Sequence, residues 1–481
     1  MTGGAVGTFR GLNAEPFSGR TPRGAGDLSV ETHGIAPVTA EQRYGTPARL
    51  FTVWFAPQVN MTGVFTGTLA ITLGLGFWLG LAAMVIGTVL GGLAVGYLST
   101  WGPRTGTAQL PAARLAFGPS VLLPAALQWL SSIAWDALVG LFGGEALSVL
   151  LGIPFWAAVL IVLAVQGAVG FFGYELIHRL QAVLTVVLFV TFVVFAVKLV
   201  SGHPTDAVIT PATVAGPDLV GAFVLEVTIA LSLSISWASY AADFSRYLPA
   251  QSSGAKVFGY TFGGMVLAYV FVQAIGIAAA GVIGDHTAAG VRDVMGGGIL
   301  GAVALLVIAL ASIGSGVMND YSGSLALQTM GVRVRRPFSA ALVTAVAFFL
   351  ILWLHGADTA TRFQDVLLLI GYWIPAFVAL VAIDWVLRTR DRLDPAVDVT
   401  SEPTRRGDGI AALLVFIASY AAAIPFMNTT LIQGPVAVAW HGADIAYFVN
   451  FVVAAVLYGG YRLVSSSGSS RRISAPSRRT S

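Results

Sequence analysis

The sequence predicts an all-α integral membrane protein of about twelve transmembrane helices, in a five-plus-five inverted repeat followed by two C-terminal helices. Three observations carry this prediction. Only 10% of the 481 residues are charged and 56% are hydrophobic, with mean hydropathy +0.81, whereas a soluble domain is about a quarter charged. Nearly all of the basic residues fall on one side of the apolar runs. Two of the runs, five apart in order, are interrupted by polar residues at membrane depth.

Residues 1 to about 45 are rich in Gly, Thr, Pro and Arg and read as a disordered cytoplasmic tail. They lack the charged-then-apolar pattern of a signal peptide. The membrane domain is expected over 46–465. Its runs lie at about 51–75, 77–98, 119–150, 153–173, 180–200, 219–242, 257–283, 297–329, 338–354, 363–388, 409–426 and 443–463. Repeat one takes about 51–200, repeat two about 219–388 and the extra helices about 409–463. Residues 466–481 read as a second cytoplasmic tail. Runs three and eight are long, which suggests tilt or an extra turn.

With the N-terminus inside, 23 of the 26 lysines and arginines fall on the inner side, and only Lys198, Arg292 and Arg362 fall elsewhere. Such a bias supports an even number of spans with both termini cytoplasmic. The 56 glycines suit close helix contact, as in the Gly87–Gly91 and Gly92–Gly96 spacings of run two.

Run one, FTVWFAPQVNMTGVFTG (Phe51 to Gly67), holds Pro57, Gln58 and Asn60 in its middle. Proline breaks the helical ladder and buried amides need partners. Irregular backbone at membrane depth is tolerated where it is buried in protein or lines a cavity. A kinked span whose polar groups merely pack is the plain alternative. Run six, with Ser232, Ser234, Ser236, Ser239 and Trp237, is the second such stretch. The halves share no clear sequence identity, so the repeat rests on the position of these breaks.

The chain has no cysteine, which excludes disulfides and thiolate chemistry. Its 6 histidines are scattered and form no metal-ligand spacing, and no Gly-rich phosphate loop opens a helix. These features argue against a membrane enzyme or direct use of ATP, and no cofactor is expected.

Four stretches in order resemble the purine–cytosine permease branch of the nucleobase–cation symporter family. They are WFAPQVNMTGVFTG in run one, GPRTGTAQLPAARLAFG (Gly102 to Gly118), WASYAADFSRYLP (Trp237 to Pro249) and NDYSGSLALQ (Asn319 to Gln328). The resemblance covers roughly residues 45–465 and implies a LeuT-type fold. It implies a secondary active transporter in the plasma membrane that imports a purine or cytosine-type nucleobase with Na+ or H+. Hydantoin, allantoin or a vitamin-like heterocycle is the alternative cargo, and a channel a more distant one.

A flat heterocycle wants aromatic faces and a few amides or hydroxyls. The resemblance points to Trp135 and Trp237 as those faces, with Trp129 as fallback; packing or interfacial tryptophans are the plain reading. Asn60 is the polar group expected to reach the substrate, against helix–helix pairing. Asn319 has the same logic, with Asp320 and Ser324 as neighbouring possibilities. Ser234 and Ser236 could offer hydroxyls, although serines in apolar helices often bond the preceding turn. The loop Gly102 to Gly118 reads as an amphipathic cytoplasmic segment with Arg114 near headgroups or another loop.

For a cation, the resemblance implies carbonyls of Ala56 and Val59 with Ala311, Gly314 and Ser315. Gly314 departs from the sodium-coupled pattern because it has no hydroxyl. Sodium with one oxygen fewer, help from Ser312, and coupling to protons all remain open. Intramembrane acids are functional candidates by default. Asp136, Glu145, Asp243 and Asp320 are candidates for coupling or gating, with Asp243 and Arg246 spaced to pair at the inner end of run six; Glu226 and Asp384 are further acids of the spans.

Overall fold

A computed structural model describes residues 34–170, 174–283, 287–332, 336–356, 358–390, 397–399, 404 and 406–473. The greater part of the two expected tails, and of the linker before the eleventh run, lies outside these residues.

Run one folds as two helices, α1 (Arg49–Phe55) and α2 (Met61–Thr72), joined by a single 3-10 turn, Ala56–Gln58. There follow α3 (Gly76–Ser99), the short α4 (Gln109–Phe117), α5 (Leu122–Leu151), α6 (Phe155–Gly170) and α7 (Tyr174–Gly202). In the second half α8 (Gly216–Ile235) tightens into a 3-10 segment, Ser236–Phe244. Then come α9 (Gly254–Ile283), the short α10 (Thr287–Val294), α11 (Gly298–Thr329) and α12 (Arg336–Leu354). The tenth run is α13 (Thr359–Gly371) continued by α14 (Ile374–Thr389); α15 (Arg406–Ala423) and α16 (Ala446–Ile473) complete the chain. Among the described residues nine helical stretches are long and apolar enough to cross a membrane, and Met61–Thr72, Phe155–Gly170 and Leu342–Leu354 are shorter apolar helices.

The inverted repeat is visible in which helices touch. The second span, α3, packs on the sixth, α8, and the seventh, α9, packs on the first, α1 and α2. The fourth, α6, packs on the eighth, α11, and the ninth, α12, packs on the third, α5. The fifth, α7, packs on α1, and the tenth, α13, packs on α8. Each contact is the image of its partner when five is added to one span number and taken from the other. The helices α5 and α11, themselves equivalents, pack along each other at the centre. Burial follows: α5, α8 and α13–α14 are largely enclosed, whereas α7, α15 and α16 turn most of their apolar surface outward.

The run-two glycines divide between two neighbours. A Cβ at Gly87 would stand 2.2 Å from the Val227 carbonyl and one at Gly91 2.0 Å from the Ser234 hydroxyl, both on α8. Gly92 and Gly96 instead face Val266, Phe262 and Phe258 of α9. Absent side chains let the backbones approach, the usual device where lipid leaves no hydrophobic drive between helices.

The expectation of a headgroup-level segment after run two needs correction. α4 is almost wholly buried, packed against α14, α15 and the 3-10 segment of span six. Arg114 donates to the Thr329 carbonyl at the end of α11. Small residues, Ala108, Ala112, Ala113 and Ala116, give α4 a surface that fits between helices, so it plugs the Arg-rich end of the bundle.

Candidate functional site

Pro57 supplies no N–H, and the ladder of span one stops there. Val59 (φ −81°, ψ 77°) and Asn60 (φ −145°, ψ 171°) leave the helical region, and α2 restarts at Met61. Asn60 caps that restart: Oδ1 accepts from the Gly63 N–H at 2.9 Å, and Nδ2 donates to the Pro57 carbonyl at 2.6 Å. A sequence reading gave this amide to the cargo; in the structure both of its ends are engaged with the break itself. Gln58, fully buried beside it, has no hydrogen-bond partner at either amide atom.

Span six changes character at Ser236, and Tyr240 (φ −141°, ψ 23°) interrupts the 3-10 segment. The Ser236 hydroxyl donates to the Ser232 carbonyl at 2.6 Å and that of Ser234 to the Ala230 carbonyl at 3.0 Å. Both serines thus serve the preceding turn. Trp237 is buried, with its indole N–H donating to the Tyr269 hydroxyl at 2.8 Å. Trp54 of α1 meets its ring edge-on at 5.6 Å between centroids, and Tyr240 lies at 5.1 Å. The two broken spans therefore touch through aromatic rings, an arrangement that favours tilted or edge contacts over sandwiches.

Span three contributes Trp135 and Asp136, which point about 100° apart on the helix. The Leu138 carbonyl of span three accepts from Thr62 of α2 at 3.3 Å, which sets α5 beside the restart of span one. Asp136 is buried beside the side chains of Asp320, Asn319 and Gln166. Gln166 donates to Asp320 at 3.1 Å, and the Tyr240 hydroxyl donates to Asn319 Oδ1 at 3.3 Å. Asp136 Oδ1, Gln166 Oε1 and Asn319 Nδ2 are buried here without a well-formed hydrogen bond, and so, on the same helix as Asp136, is Trp135 Nε1. Asp136, Gln166 and Asn319 are brought together by α5, α6 and α11. Buried polar groups are seldom left so, because desolvation without a bond is costly.

The residues at the expected cation position do not fit sodium well. A Cβ at Gly314 would stand 2.5 Å from a Leu184 methyl, so there is no room for a hydroxyl-bearing side chain. The Ser312 hydroxyl is turned to the Val139 carbonyl of α5, and the Ala56 carbonyl accepts from the Val59 N–H at 3.1 Å. The Ala56, Val59 and Ala311 carbonyls and the Ser315 hydroxyl are the oxygens of the expected set, fewer than a hard cation gathers.

The other acids lie away from this centre. Glu145 accepts from Thr287 at 3.0 Å, stands 3.4 Å from His355 Nδ1, and lines a cavity of about 680 Å³ at the end opposite the arginines, with Phe65, Phe155 and Asp358. Asp243 accepts from the Gln109 N–H at 2.8 Å while Gln109 Oε1 accepts from the Ala242 N–H, which locks α4 to the end of span six. Arg246, fully buried, donates to the Tyr321 hydroxyl and to the Gly34 carbonyl. Asp384 pairs with Arg388 and Arg462. Glu226 is buried in α8 with neither oxygen hydrogen-bonded. Ahead of span one, burial and the Glu175 carboxylate push the Tyr44 phenol up, and burial pushes the Arg43 guanidinium down.

Of the residues expected from sequence, the structure gathers Asp136, Asn319 and Asp320 around one centre, with Trp237 joined to it through Tyr240, while Trp135 is buried one position before Asp136 on α5. Ser324 donates to the Tyr321 carbonyl, and Trp129 packs with Ile133, Val343 and Ala347 against α12. Gln166, Tyr240, Tyr269 and Trp54 were missed. Gln166 had a signal, as the lone amide in the apolar run FWAAVLIVLAVQGAVG. Tyr269 had none, since only packing brings it to Trp237.

A bundle with inverted repeats and two broken helices meeting at its centre is the architecture of a secondary transporter. Residues 37–450 match the family of permeases for cytosine/purines, uracil, thiamine and allantoin, and the chain belongs to that family, whose members are transporters and not enzymes. It is 26% identical over 446 residues to the putative purine-cytosine permease YxlA of Bacillus subtilis, covering 90% of this chain and 95% of that protein. It is also 26% identical over 457 residues to the purine-cytosine permease fcyB of Emericella nidulans, covering 90% and 88%. Among solved structures, Mhp1, a nucleobase-cation-symport-1 family transporter, in a closed conformation with bromovinylhydantoin bound, superposes with TM-score 0.72 at 18% identity, covering 91% of this chain and 97% of that one.

Proposed function

We propose that this chain is a proton-coupled symporter of the plasma membrane that imports a purine or cytosine-type nucleobase. The observation that carries the reading is the cluster of buried polar groups at Asp136, Gln166 and Asn319 that lack well-formed hydrogen bonds. A nucleobase edge offers alternating donors and acceptors in one plane, and its faces suit aromatic neighbours. Trp135 would lie against one face, and Trp237, held by Tyr269, would close from span six. Asn319 would donate to a ring nitrogen or carbonyl, and Gln166 and Asp136 would accept N–H groups. Family and relatives, as named, are permeases for such compounds.

Protons are favoured over sodium on two grounds. The cation position is short of oxygens, and Asp136 and Asp320 lie beside each other at the cargo's edge. A carboxyl pair that takes up a proton with the cargo and releases it on the other side couples the two without a metal. Alternating access would rock α1 and the 3-10 segment of span six, the two halves that end at the breaks, against α5 and α11. The Arg-rich end would be cytoplasmic, as the positive-inside rule requires, with both termini there. The α4 plug and the Arg246–Tyr321 contact would close that side, and the cavity lined by Glu145 would open the other.

Uptake by expressing cells tests the reading. A panel of radiolabelled cytosine, adenine, guanine, hypoxanthine, uracil, allantoin, hydantoin and thiamine would be run with sodium, with choline, and with a protonophore. Accumulation of a nucleobase that the protonophore abolishes is expected. Movement without accumulation would indicate a channel, and accumulation of another panel member alone would replace the nucleobase assignment.

A further inference from the structure

Gln181 occupies a position for which the transport cycle has no stated use. It lies on α7, which packs on α1, on the Ala56–Gln58 turn and on α11, so it sits in the wedge between the break of span one and span eight. Its side chain is fully buried. Nε2 donates to the Gly314 carbonyl at 2.8 Å, and the amide flanks the bare Gly314 α-carbon, 3.7–3.8 Å from where a Cβ would stand. The backbone at this point is held in turn, because the Thr185 hydroxyl donates to the Gln181 carbonyl at 2.7 Å and reaches the Thr52 carbonyl of α1 at 3.4 Å. Oε1 has no protein partner.

We propose that Gln181 is a resident substitute for the coupling cation, its amide N–H holding span eight where sodium-coupled relatives would place an ion. A cation between span one and span eight works by drawing oxygens from both toward one positive centre. An amide N–H offers the same sense of charge to the Gly314 carbonyl of span eight, α7 is tied to span one, a turn further on, by Thr185 at the Thr52 carbonyl, and no ion is needed. The site is arranged for it: position 314 is glycine, Leu184 fills the space a hydroxyl side chain would need, and Ser312 faces α5. The inference rests on the chain being a symporter but not on which cargo it carries, and it predicts that sodium is neither bound nor needed.

The test pairs a melting-temperature measurement on the purified full-length protein with uptake in cells. Wild-type melting temperature is expected to be the same in NaCl and in choline chloride at equal ionic strength, and uptake of radiolabelled cytosine, or of whichever panel compound is carried, to be equal in the two salts. Gln181→Ala should slow uptake by roughly tenfold, the size expected when a buried acceptor loses its donor. Gln181→Glu, which exchanges the donor for a carboxylate, should show an upward melting shift with NaCl that choline does not give. A wild-type protein stabilised by NaCl overturns the proposal, and if Gln181→Ala loses that stabilisation then Oε1 is an ion ligand. Gln181→Ala with wild-type uptake also overturns it, as does Gln181→Glu with no sodium response. If no panel compound is carried, the cargo assignment fails, while the sodium response of the two melting curves still decides the role of Gln181.

Discussion

The Gln166 amide on α6 donates to the Asp320 carboxylate on α11 at 3.1 Å, and it does so across Gly316, where a Cβ would stand 2.0 Å from Gln166 Oε1. The glycine makes the contact possible, and the atom in the way is the end of a flexible side chain. Gly316→Ala should therefore push Gln166 aside and leave the fold intact. Its KM for the cargo should rise by roughly tenfold, as should that of Gln166→Ala, because each removes the same buried hydrogen bonds. The double variant should be no worse than either single one, since the two changes act on one interaction. Uptake kinetics alongside melting temperatures would show this, and additive losses would separate the two residues.

The acid pair makes a prediction in pH. If Asp136 and Asp320 carry the coupled proton inward, wild-type uptake should rise as external pH falls and collapse with a protonophore. Asp136→Asn and Asp320→Asn should each abolish accumulation and flatten the pH response, while exchange of labelled for unlabelled cargo across the membrane survives in at least one of them. Retained pH-driven accumulation in both would place the proton elsewhere, with buried Glu226 the next group to examine.

Trp237 is held by a hydrogen bond to Tyr269 and by the edge of Trp54. Trp237→Ala should impair both KM and maximal rate, since it removes a ring face and the contact between the two broken spans. Tyr269→Phe, which frees the indole N–H but keeps the packing, should cost about 1 kcal/mol, or several-fold in uptake. Unchanged kinetics in Trp237→Ala would rule out this tryptophan as a cargo contact.

Asn60 separates a capping role from a cargo role. Asn60→Ala removes the bond to the Gly63 N–H and should lower stability by about 1 kcal/mol, the usual cost of a lost cap. Asn60→Asp keeps the accepting oxygen but exchanges the donor to the Pro57 carbonyl for an oxygen, so it should melt below the wild type. If the Asp variant still transports normally, Asn60 shapes the break without touching the cargo. A large KM increase in a folded Asn60→Asp protein would restore it as a ligand.

Gly91 is a test of the helix contact away from the site. Gly91→Val would drive a side chain into Ser234 and the α8 backbone, and overpacking of this kind destabilises by about 1–3 kcal/mol. A lower melting temperature, with wild-type KM in whatever protein folds, is the expected result.

Much of this protein was legible in its sequence. Apolar runs long enough to span a bilayer must satisfy their backbone internally, so the helices followed from composition alone. Pro57 fixed a break because it has no N–H to give, and the serines and tryptophan of run six marked its equivalent five spans later. Trp135, Asp136, Asn319 and Asp320 stood out because polar and aromatic groups in such runs are few. Their partners were a different matter. Whether an amide faces a cargo or its own backbone depends on distances of about one hydrogen bond, which a linear pattern does not contain. Asn60, Ser234 and Ser236 had the right chemistry, yet each turns to the chain beside it. Gln166 and Gln181 looked like isolated amides in lipid-depth helices until packing set them against glycines 316 and 314 of span eight. The sequence by itself determined a membrane bundle with two breaks and the groups available to work at them. The tertiary structure alone decided which groups meet, because helix contacts join residues more than a hundred positions apart, and only close packing sets what each one faces.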